Sequence, residues 1–489
     1  MTIFRRIVLA LILIILATNV QAQPRTGEPV TFGCFDYVRA VTASLNYAYY
    51  ATTDGIIKYD KMRQRWEEPM TGATGLPDEQ INQIYVDRFD QNVVIVTDFG
   101  KYQYESFFNQ WYPVTDLPDL DNDIKHVGLP DLIVPQFDAN YMGDGRFIDY
   151  YNRSFNTTDI VQDASGYLWI GTWGYGPATA DAASGLMNLL PYGLTQRRVD
   201  LIVPFDSSLW LAGISDDDFR SGITEFVPSQ NAFTQHETAL TLNDAVTDFY
   251  SLEVDSSSIY AGTPKGLYIL DRHNWTASGP VGRKHGLEDD VVLALKKVGD
   301  ELYVGTNGGL SMINLATDSV YHIRSETFDN QVIYDLEWVD NTLWIASQLG
   351  AFRYTFDTQR LQQFTDPDQV LFSAVYDIER NGNEVWFSSD GGVVRLNLED
   401  GDIWSYRDES NLYDHRPMAV NDEMVAFADD LGLSILVRGK DKVRLWTFRS
   451  SDGLPSDDIL ELYVQGEYLW IGSDRGLTRF HWRDPLLFD

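Results

Sequence analysis

The seven histidines are the side chains of this chain best suited to acid–base catalysis or metal binding. No two of them stand two or four residues apart, the spacings that place paired metal ligands on one side of a strand or helix, and no Gly-x-Ser-x-Gly elbow accompanies them. The sequence therefore predicts no catalytic residue. The histidines are His126, His236, His273, His285, His322, His415 and His481.

An acidic stretch is the candidate for a metal site. Asp119, Asp121 and Asp123 stand at alternate positions, as the first ligands of a calcium loop do. The sixth position of such a loop needs glycine and the twelfth needs glutamate, but this chain has Ile124 and Pro130 there. We therefore interpret the stretch as a solvated loop and predict neither metal nor cofactor. Calcium stays the alternative, which a higher melting temperature in calcium would support.

Two aromatic residues lie in a glycine-rich turn, where no core is expected for them to fill. Trp173 and Tyr175 alternate with Gly174 and Gly176. Exposed aromatic rings stack on sugars or anchor protein partners. We therefore predict that both rings contact a ligand or a partner.

One phrase recurs along the chain and defines its elements. Its clearest copy, residues 469–477, reads Leu-Trp-Ile-Gly-Ser-Asp-Arg-Gly-Leu, which is typical of a strand, a tight hairpin turn and a second strand. We call the residue at the Trp470 position the anchor. From Tyr260 onward the anchors lie 40–44 residues apart, which is the period of four-stranded propeller blades. The anchors are Tyr49, Val94, Trp169, Trp210, Tyr260, Tyr303, Trp344, Trp386, Ala426 and Trp470.

The predicted fold class is therefore all-β, a β-propeller. Ten clear units and one cryptic unit predict about 10 to 11 four-stranded blades. Because single rings usually hold about 4 to 8 blades, two packed rings are favoured over one large ring. The cryptic unit falls in an irregular stretch at about 113–158, with residues 139–144 as its degraded anchor, and a second irregular excursion covers 173–193.

The two ends of the repeat region are predicted to meet. The last unit ends soon after its third strand, at residues 476–482, and an unassigned strand-like segment at residues 29–32 precedes the first unit. An open sheet edge exposes unpaired backbone groups. We therefore expect residues 29–32 to complete the last blade.

Function is expected where the copies of the repeat differ. In a propeller the turns between second and third strands share a face with the blade-to-blade connections, so their variable residues converge around the central channel. A binding face is predicted there. Its residues are Trp173, Tyr175, Asn307, Asp390, Arg475 and Asp98, with Asp54, Lys265, Gln348 and Asp430 at equivalent positions.

The first 22 residues are predicted to be a signal peptide. Arg5 and Arg6 precede an apolar run at 7–17, which is shorter than the about 20 residues of a membrane span, and a cleavage site follows near Ala22. Residues 23–489 then form the repeat region of a periplasmic or extracellular protein, with no stable membrane insertion of the mature chain. A net charge of −35 opposes nucleic-acid binding.

The repeated phrase, together with Gly-Leu-Pro and Ser or Asp before the next unit, resembles the two-component regulator propeller repeats of bacteria. The best matches are residues 168–172, 302–310 and 453–477. The resemblance implies a propeller of the kind found outside the cytoplasm in sensor kinases that detect oligosaccharides, and in exported proteins that help secretion. Because we find no downstream transmembrane helix, kinase or DNA-binding region, the resemblance implies the propeller and a binding role without a signalling output. The partner that it implies is a carbohydrate or an envelope protein.

We therefore expect an exported, non-enzymatic propeller that binds a ligand or protein, in glycan sensing or as an accessory of the envelope or of secretion. Two alternatives stay open. A propeller-fold glycan lyase or hydrolase would gather His, Tyr and carboxylate side chains at the channel mouth. A structural scaffold of an envelope complex would expose a contiguous apolar patch instead of a polar pocket.

Overall fold

Strands make up nearly all the regular structure of the computed structural model. It describes residues 29–105, 110–118, 124–215, 221–238, 248–324, 328, 330–407, 417–429, 432–438 and 443–483. The predicted signal peptide, the acidic stretch at 119–123 and Asp430 lie outside these residues. No helix within the described ranges is long and apolar enough to cross a membrane.

The described residues contain 44 strands and five 3₁₀ helices. Strands up to residue 114 are β1 (Val30–Phe32), β2 (Val38–Ala43), β3 (Tyr47–Thr52), β4 (Ile56–Asp60), β5 (Arg65–Trp66), β6 (Ile81–Val86), β7 (Val93–Thr97), β8 (Lys101–Glu105) and β9 (Gln110–Val114). Those of residues 125–189 are β10 (Lys125–His126), β11 (Val134–Pro135), β12 (Ala139–Tyr141), β13 (Arg146–Asp149), β14 (Ser154–Gln162), β15 (Tyr167–Trp173), β16 (Pro177–Asp181) and β17 (Leu186–Leu189).

The strands from residue 201 onward belong to four-stranded sheets. Those of residues 201–323 are β18 (Leu201–Phe205), β19 (Ser208–Ala212), β20 (Gly222–Val227), β21 (Ala232–Glu237), β22 (Ser251–Val254), β23 (Ser258–Thr263), β24 (Gly266–Asp271), β25 (Ala277–Val281), β26 (Val292–Val298), β27 (Glu301–Thr306), β28 (Gly309–Asn314) and β29 (Ser319–Ile323). Those of residues 333–481 are β30 (Ile333–Val339), β31 (Thr342–Ser347), β32 (Gly350–Thr355), β33 (Arg360–Phe364), β34 (Val375–Asn381), β35 (Glu384–Ser389), β36 (Gly392–Asn397), β37 (Ile403–Arg407), β38 (Met418–Val420), β39 (Met424–Asp429), β40 (Gly432–Arg438), β41 (Val443–Phe448), β42 (Ile459–Gln465), β43 (Tyr468–Ser473) and β44 (Gly476–His481). The 3₁₀ helices are Gly72–Thr74, Pro228–Gln230, Arg283–His285, Val370–Phe372 and Ser450–Asp452.

Each repeat folds as a meander of antiparallel strands, as its alternating pattern predicts. Every anchor lies on the second strand of its meander and is at most 5% exposed. The glycine of the phrase is required where the turn meets another strand: Gly476 has φ +123°, and a Cβ there would lie 2.3 Å from the Phe32 carbonyl oxygen. The all-β class and the packing role of the anchors are confirmed.

Three sheets form what we call the row: β2–β5, β6–β9 and β10–β17. β2 contacts β6 on one side, and β14 and β15 on the other. In the end sheet β6–β9, Ile81 and Ile84 pack on the middle sheet, whereas Gln83 and Tyr85 point to the opposite face. A polar outer face is typical of a terminal repeat.

The other end of the row accounts for the cryptic unit. β10–β17 form one sheet of eight strands, in which the hairpin β12–β13 extends the edge beside β14. Val127, Leu129 and Phe137 pack on the apolar face of this sheet. Only 28 residues separate Tyr141 from Trp169, too few for a further four-stranded blade. The cryptic unit therefore forms no sheet of its own among the described residues, and it covers the end of the row instead.

The other seven sheets of the described chain form a closed circuit of contacts, with β1 joined to the last of them. We call the first strands of these sheets the inner strands. Each inner strand contacts the next, and the last contacts the first. Such contacts between successive sheets are expected of propeller blades. That the row belongs to a second ring stays a prediction. The inner strands are β18, β22, β26, β30, β34, β38 and β42.

The N-terminal strand closes the circuit, as predicted. β1 pairs antiparallel with β44 and so becomes the fourth strand of the sheet β42–β44. The hydroxyl groups of Thr31 and Thr478 lie 2.9 Å apart across this pairing. Phe32 is 1% exposed and packs against Phe226 at 5.2 Å between ring centroids. The segment thus joins two neighbouring sheets of the circuit.

Aromatic rings join the row to the circuit at a place we call the junction. Tyr192 is 1% exposed, stacks on Trp66 of β5 at 5.0 Å and meets Phe233 of β21 edge-on at 5.1 Å. Its hydroxyl lies 3.0 Å from the Asn231 Oδ1 and 3.2 Å from the Glu67 carbonyl oxygen. Row and circuit therefore share a buried core at this point.

Candidate binding surface

Trp173 ends β15 and differs from the anchors in its exposure. Its side chain is 39% exposed. The indole meets Tyr37 edge-on at 5.2 Å, and the Arg39 guanidinium carbon lies 5.1 Å from its ring centroid. A guanidinium over an indole is a cation–π contact, which holds both groups in place. The predicted residue is thus a fixed aromatic side chain at the surface, as a binding role requires.

Tyr175 does not share this exposure, because it has a core to fill. Its ring stacks on Phe155 at 3.8 Å and meets Phe137 edge-on at 5.3 Å. Phe137 belongs to the segment that covers the end of the row. The sequence did not reveal this core, since the covering segment carries no copy of the repeated phrase. The excursion at 173–193 begins at the end of β15 and contains the turn of the regular β15–β16 hairpin, then β16 and β17.

The turn that carries Trp173 is held by the segment that leads from β1 to β2. The N–H groups of Gly174 and Gly176 donate to the Asp36 carbonyl oxygen at 2.9 and 2.8 Å. The N–H of Cys34 donates to the Asp54 Oδ2 at 2.9 Å. Two of the turns whose residues were predicted to vary, β3–β4 and β15–β16, therefore meet at residues 34–36.

Arg475 lies in the corresponding turn of the last sheet of the circuit, and it also contacts the row. Its Nη1 is 3.5 Å from the Asp78 Oδ2. Asp54 pairs with Arg197, and this ion pair raises the pKa of the Arg197 guanidinium. Both ion pairs join residues of the row to residues of the circuit. Two of the turns predicted to vary, those of Asp54 and Arg475, therefore carry contacts between the row and the circuit.

Asn307 and Asp390 occupy equivalent places in the circuit, as predicted. The N–H of Asn307 donates to the Val291 carbonyl oxygen and that of Asp390 to the Ala374 carbonyl oxygen, both at 3.2 Å. Gln348 makes the same bond to the residue before its inner strand. The turns therefore lie beside the inner strands at one end of their sheets.

A groove of about 220 Å³ opens beside Asn307. Its wall holds a charge pair: the Arg324 Nε and Nη2 donate to the two Glu288 oxygens at 2.7 and 2.9 Å. Arg324 therefore lowers the pKa of Glu288. The His322 Nδ1 lies 2.8 Å from the same carboxylate. The lining residues are Glu288, Gly308, Gly309, Leu310, Ile323, Arg324, Phe328 and Asn330.

Asp98 lies apart from both groups. It is in the β7–β8 turn at the end of the row and accepts a hydrogen bond from the Asn82 Nδ2 at 2.7 Å. The six predicted residues therefore lie on several different sheets. Trp173 and Tyr175 lie at one sheet of the row, Asn307 and Asp390 at the circuit, Arg475 at the junction and Asp98 on the end sheet.

Carboxylates on the inner strands are the residues that sequence reasoning missed. Asp335, Asp377 and Glu461 each stand two residues after the aliphatic residue that begins their strand. In each case the pairing register shifts between these two positions. Such a bulge re-aims the side chain. An acidic residue at this position in three repeats was a signal available in the sequence.

The cluster that would favour an enzyme is only partly present in the described chain. Carboxylates gather at the inner strands, but the described histidines lie elsewhere. His236, for example, stacks on Trp275 at 3.6 Å, and burial lowers its pKa to about 4. Within the described ranges, no three His, Cys, Asp or Glu side chains are arranged to hold a metal ion. The calcium alternative stays a prediction, because its residues lie outside those ranges.

Comparisons with known proteins support the repeat that the sequence predicts. The family model of the two component regulator propeller matches residues 152–174, which contain the anchor Trp169. No curated protein matches this chain.

Solved structures with a similar fold come from several kinds of protein. PorZ, a surface component of the type-IX secretion system of Porphyromonas gingivalis, is 14% identical over 91% of this chain and 74% of its own, with a TM-score of 0.49. The extracellular domain of a putative hybrid two component system from B. thetaiotaomicron is 12% identical over 91% of this chain and 70% of its own, with a TM-score of 0.46. Streptogramin B lyase is 11% identical over 58% of this chain and 93% of its own, with a TM-score of 0.45.

Proposed function

We propose that this chain, a β-propeller with a two-component regulator propeller repeat, is an exported protein that binds an envelope protein through the surface around Trp173. The observation that carries the proposal is the half-exposed indole held by Tyr37 and Arg39. Trp, Tyr and Arg are the residues enriched where protein partners bind most strongly. The ten anchors, by contrast, are all buried.

Replacing Trp173 with alanine is expected to weaken partner binding about 30-fold, the effect of losing one central contact residue. A partner captured from envelope extract would be titrated against wild type and variant. Tyr167→Ala is the matched control, because Tyr167 lies at the other end of β15 and is 48% exposed. The proposal fails if both variants bind as wild type does, or if both lose affinity equally.

A second candidate function is binding of a neutral sugar in the groove beside Asn307. Its volume of about 220 Å³ suits one sugar ring, and its polar lining offers donors and acceptors for hydroxyl groups. Asn330→Ala is expected to weaken binding to a glycan array about tenfold, as the loss of one or two hydrogen bonds would. Gln465→Ala, which removes an exposed amide at the end of β42, is the control. Equal binding by both variants would remove this candidate and leave the Trp173 surface unaffected.

A further inference from the structure

Arg39 occupies a bulge in β2, the first strand of the middle sheet of the row. Its neighbours Val38 and Ala40 pair with β3, and the pairing register shifts between them. Both neighbours are buried, whereas Arg39 is partly exposed. A bulge turns the extra side chain away from the regular alternation of its strand. The backbone therefore directs the Arg39 side chain out of the core of this sheet.

The same bulge recurs at the equivalent place in other repeats of the described chain. The extra residue is charged in β2 and uncharged in the others, which have Asn82, Thr158, Leu293, Tyr334, Tyr376 and Leu460. A charge at this place is therefore not required to form the repeat. The guanidinium of Arg39 is thus available for a role specific to its own sheet.

Arg39 lies over Trp173 without an ion pair. The guanidinium carbon is 5.1 Å from the indole centroid. Arginines elsewhere in this acidic chain pair with its own carboxylates, as Arg197 does with Asp54. Among the described residues, no carboxylate pairs with Arg39. A guanidinium carries five N–H donors in a planar fork that matches a carboxylate, and the cation–π contact provides no acceptor oxygen. These donors are therefore available to a bound ligand.

Polar side chains border the ring and the guanidinium. Asn156 lies opposite Trp173 in the pairing of β14 with β15, and it is exposed. Thr158, two residues further along β14, is exposed as well. An aromatic ring and an arginine with a polar rim are typical of the places where protein partners bind. The surface therefore suits a protein segment that brings both an apolar side chain and an acceptor for the guanidinium.

We propose that the segment recognised at the Trp173 surface carries one Glu or Asp side chain that binds Arg39, beside an apolar side chain that packs on Trp173. This inference rests on the proposed function and names the chemistry of its partner. The carboxylate accepts charge-assisted hydrogen bonds from the guanidinium, and these are stronger than hydrogen bonds between neutral groups. Because the chain has a net charge of −35, it repels a long acidic run. Arg39 thus selects a single carboxylate in an apolar setting.

The first test is a selection of random peptides, displayed on phage, against the full chain. Peptides enriched on wild type over Trp173→Ala are expected to carry an acidic residue beside an apolar one. Enriched peptides without an acidic residue would overturn this inference and leave the proposed function standing. If no peptide is enriched over Trp173→Ala, both are overturned.

The second test compares an enriched peptide with a copy in which its acidic residue is replaced by the corresponding amide. Wild type is expected to bind the acidic peptide about tenfold more tightly, as one charge-assisted hydrogen bond would give. Arg39→Gln is expected to lose this preference and to bind both copies equally. If Arg39 only holds the indole in place, its replacement weakens both copies alike and the preference persists. That result would overturn the inference.

Arg353→Gln is the matched control. Arg353 lies on β32 in the circuit, is exposed and, like Arg39, has no carboxylate partner among the described residues. This variant removes the same charge from the chain and should keep the wild-type preference. An equal loss of preference in Arg353→Gln would attribute the effect to net charge and overturn the inference. Alginate is the second probe: if it binds through Arg39 and Trp173 and no peptide does, the occupant is an acidic sugar and the protein segment is excluded.

Discussion

Replacing Phe32 with alanine is expected to lower the free energy of unfolding by about 3–5 kcal/mol. Phe32 is 1% exposed and packs against both Phe226 and Phe233, at 5.2 and 5.4 Å between ring centroids. Its removal leaves a cavity between two sheets of the circuit, where the closing strand β1 meets the sheet β18–β21. The measurement is denaturant-induced unfolding of the full chain, followed by tryptophan fluorescence.

The loss of unfolding free energy should come from weakened closure of the circuit, and not from the shortening of a side chain in general. Val134→Ala is the control, since Val134 belongs to the two-residue strand β11 and is 40% exposed. That change should cost less than about 1 kcal/mol. Deletion of residues 29–32 should destabilise the chain at least as much as Phe32→Ala. A Phe32→Ala chain as stable as Val134→Ala would show that β1 is not needed for closure.

Tyr192→Ala is expected to cost about 3–5 kcal/mol and to uncouple the row from the circuit. The ring contacts Trp66 in the row and Phe233 in the circuit, so its loss removes packing from both sides of the junction. Unfolding should then separate into two transitions, because two units with a weakened interface lose their mutual stabilisation. Calorimetry of the full chain measures both effects.

Tyr192→Phe separates the ring from its hydroxyl. This variant keeps the stacking and loses only the hydrogen bond to Asn231 or to the Glu67 carbonyl oxygen, so it should cost about 1 kcal/mol and keep a single transition. Equal effects of Tyr192→Phe and Tyr192→Ala would mean that the hydroxyl, and not the aromatic packing, couples the two parts.

Much of the architecture was predictable because the residues within each repeat specify its strands and its hairpin turn. An apolar anchor such as Trp470, a polar turn and a glycine specify a hairpin through local propensity and burial alone. The same kind of reasoning placed residues 29–32 beside the last unit. The last sheet lacks its fourth strand, and a strand from the other end of the repeat region satisfies the unpaired backbone groups of its open edge. Both predictions are confirmed in the described structure.

The candidate site was less predictable, because the role of an exposed turn depends on what folds against it. Trp173 and Tyr175 occupy one turn and are chemically alike, yet Phe155 and Phe137 partly bury Tyr175, whereas Trp173 is 39% exposed. Phe137 reaches Tyr175 from a segment without the repeated phrase, so the sequence pattern did not reveal it. Arg475 likewise meets Asp78 only because row and circuit pack together.

The sequence by itself therefore determined the strands, the hairpins, the anchors and the closing segment, since these depend on periodicity and on interactions within a repeat or at its edge. Tertiary structure decided how the sheets are grouped and which turns are free to bind. These features depend on contacts between sheets that lie far apart in the chain, which a linear pattern does not contain.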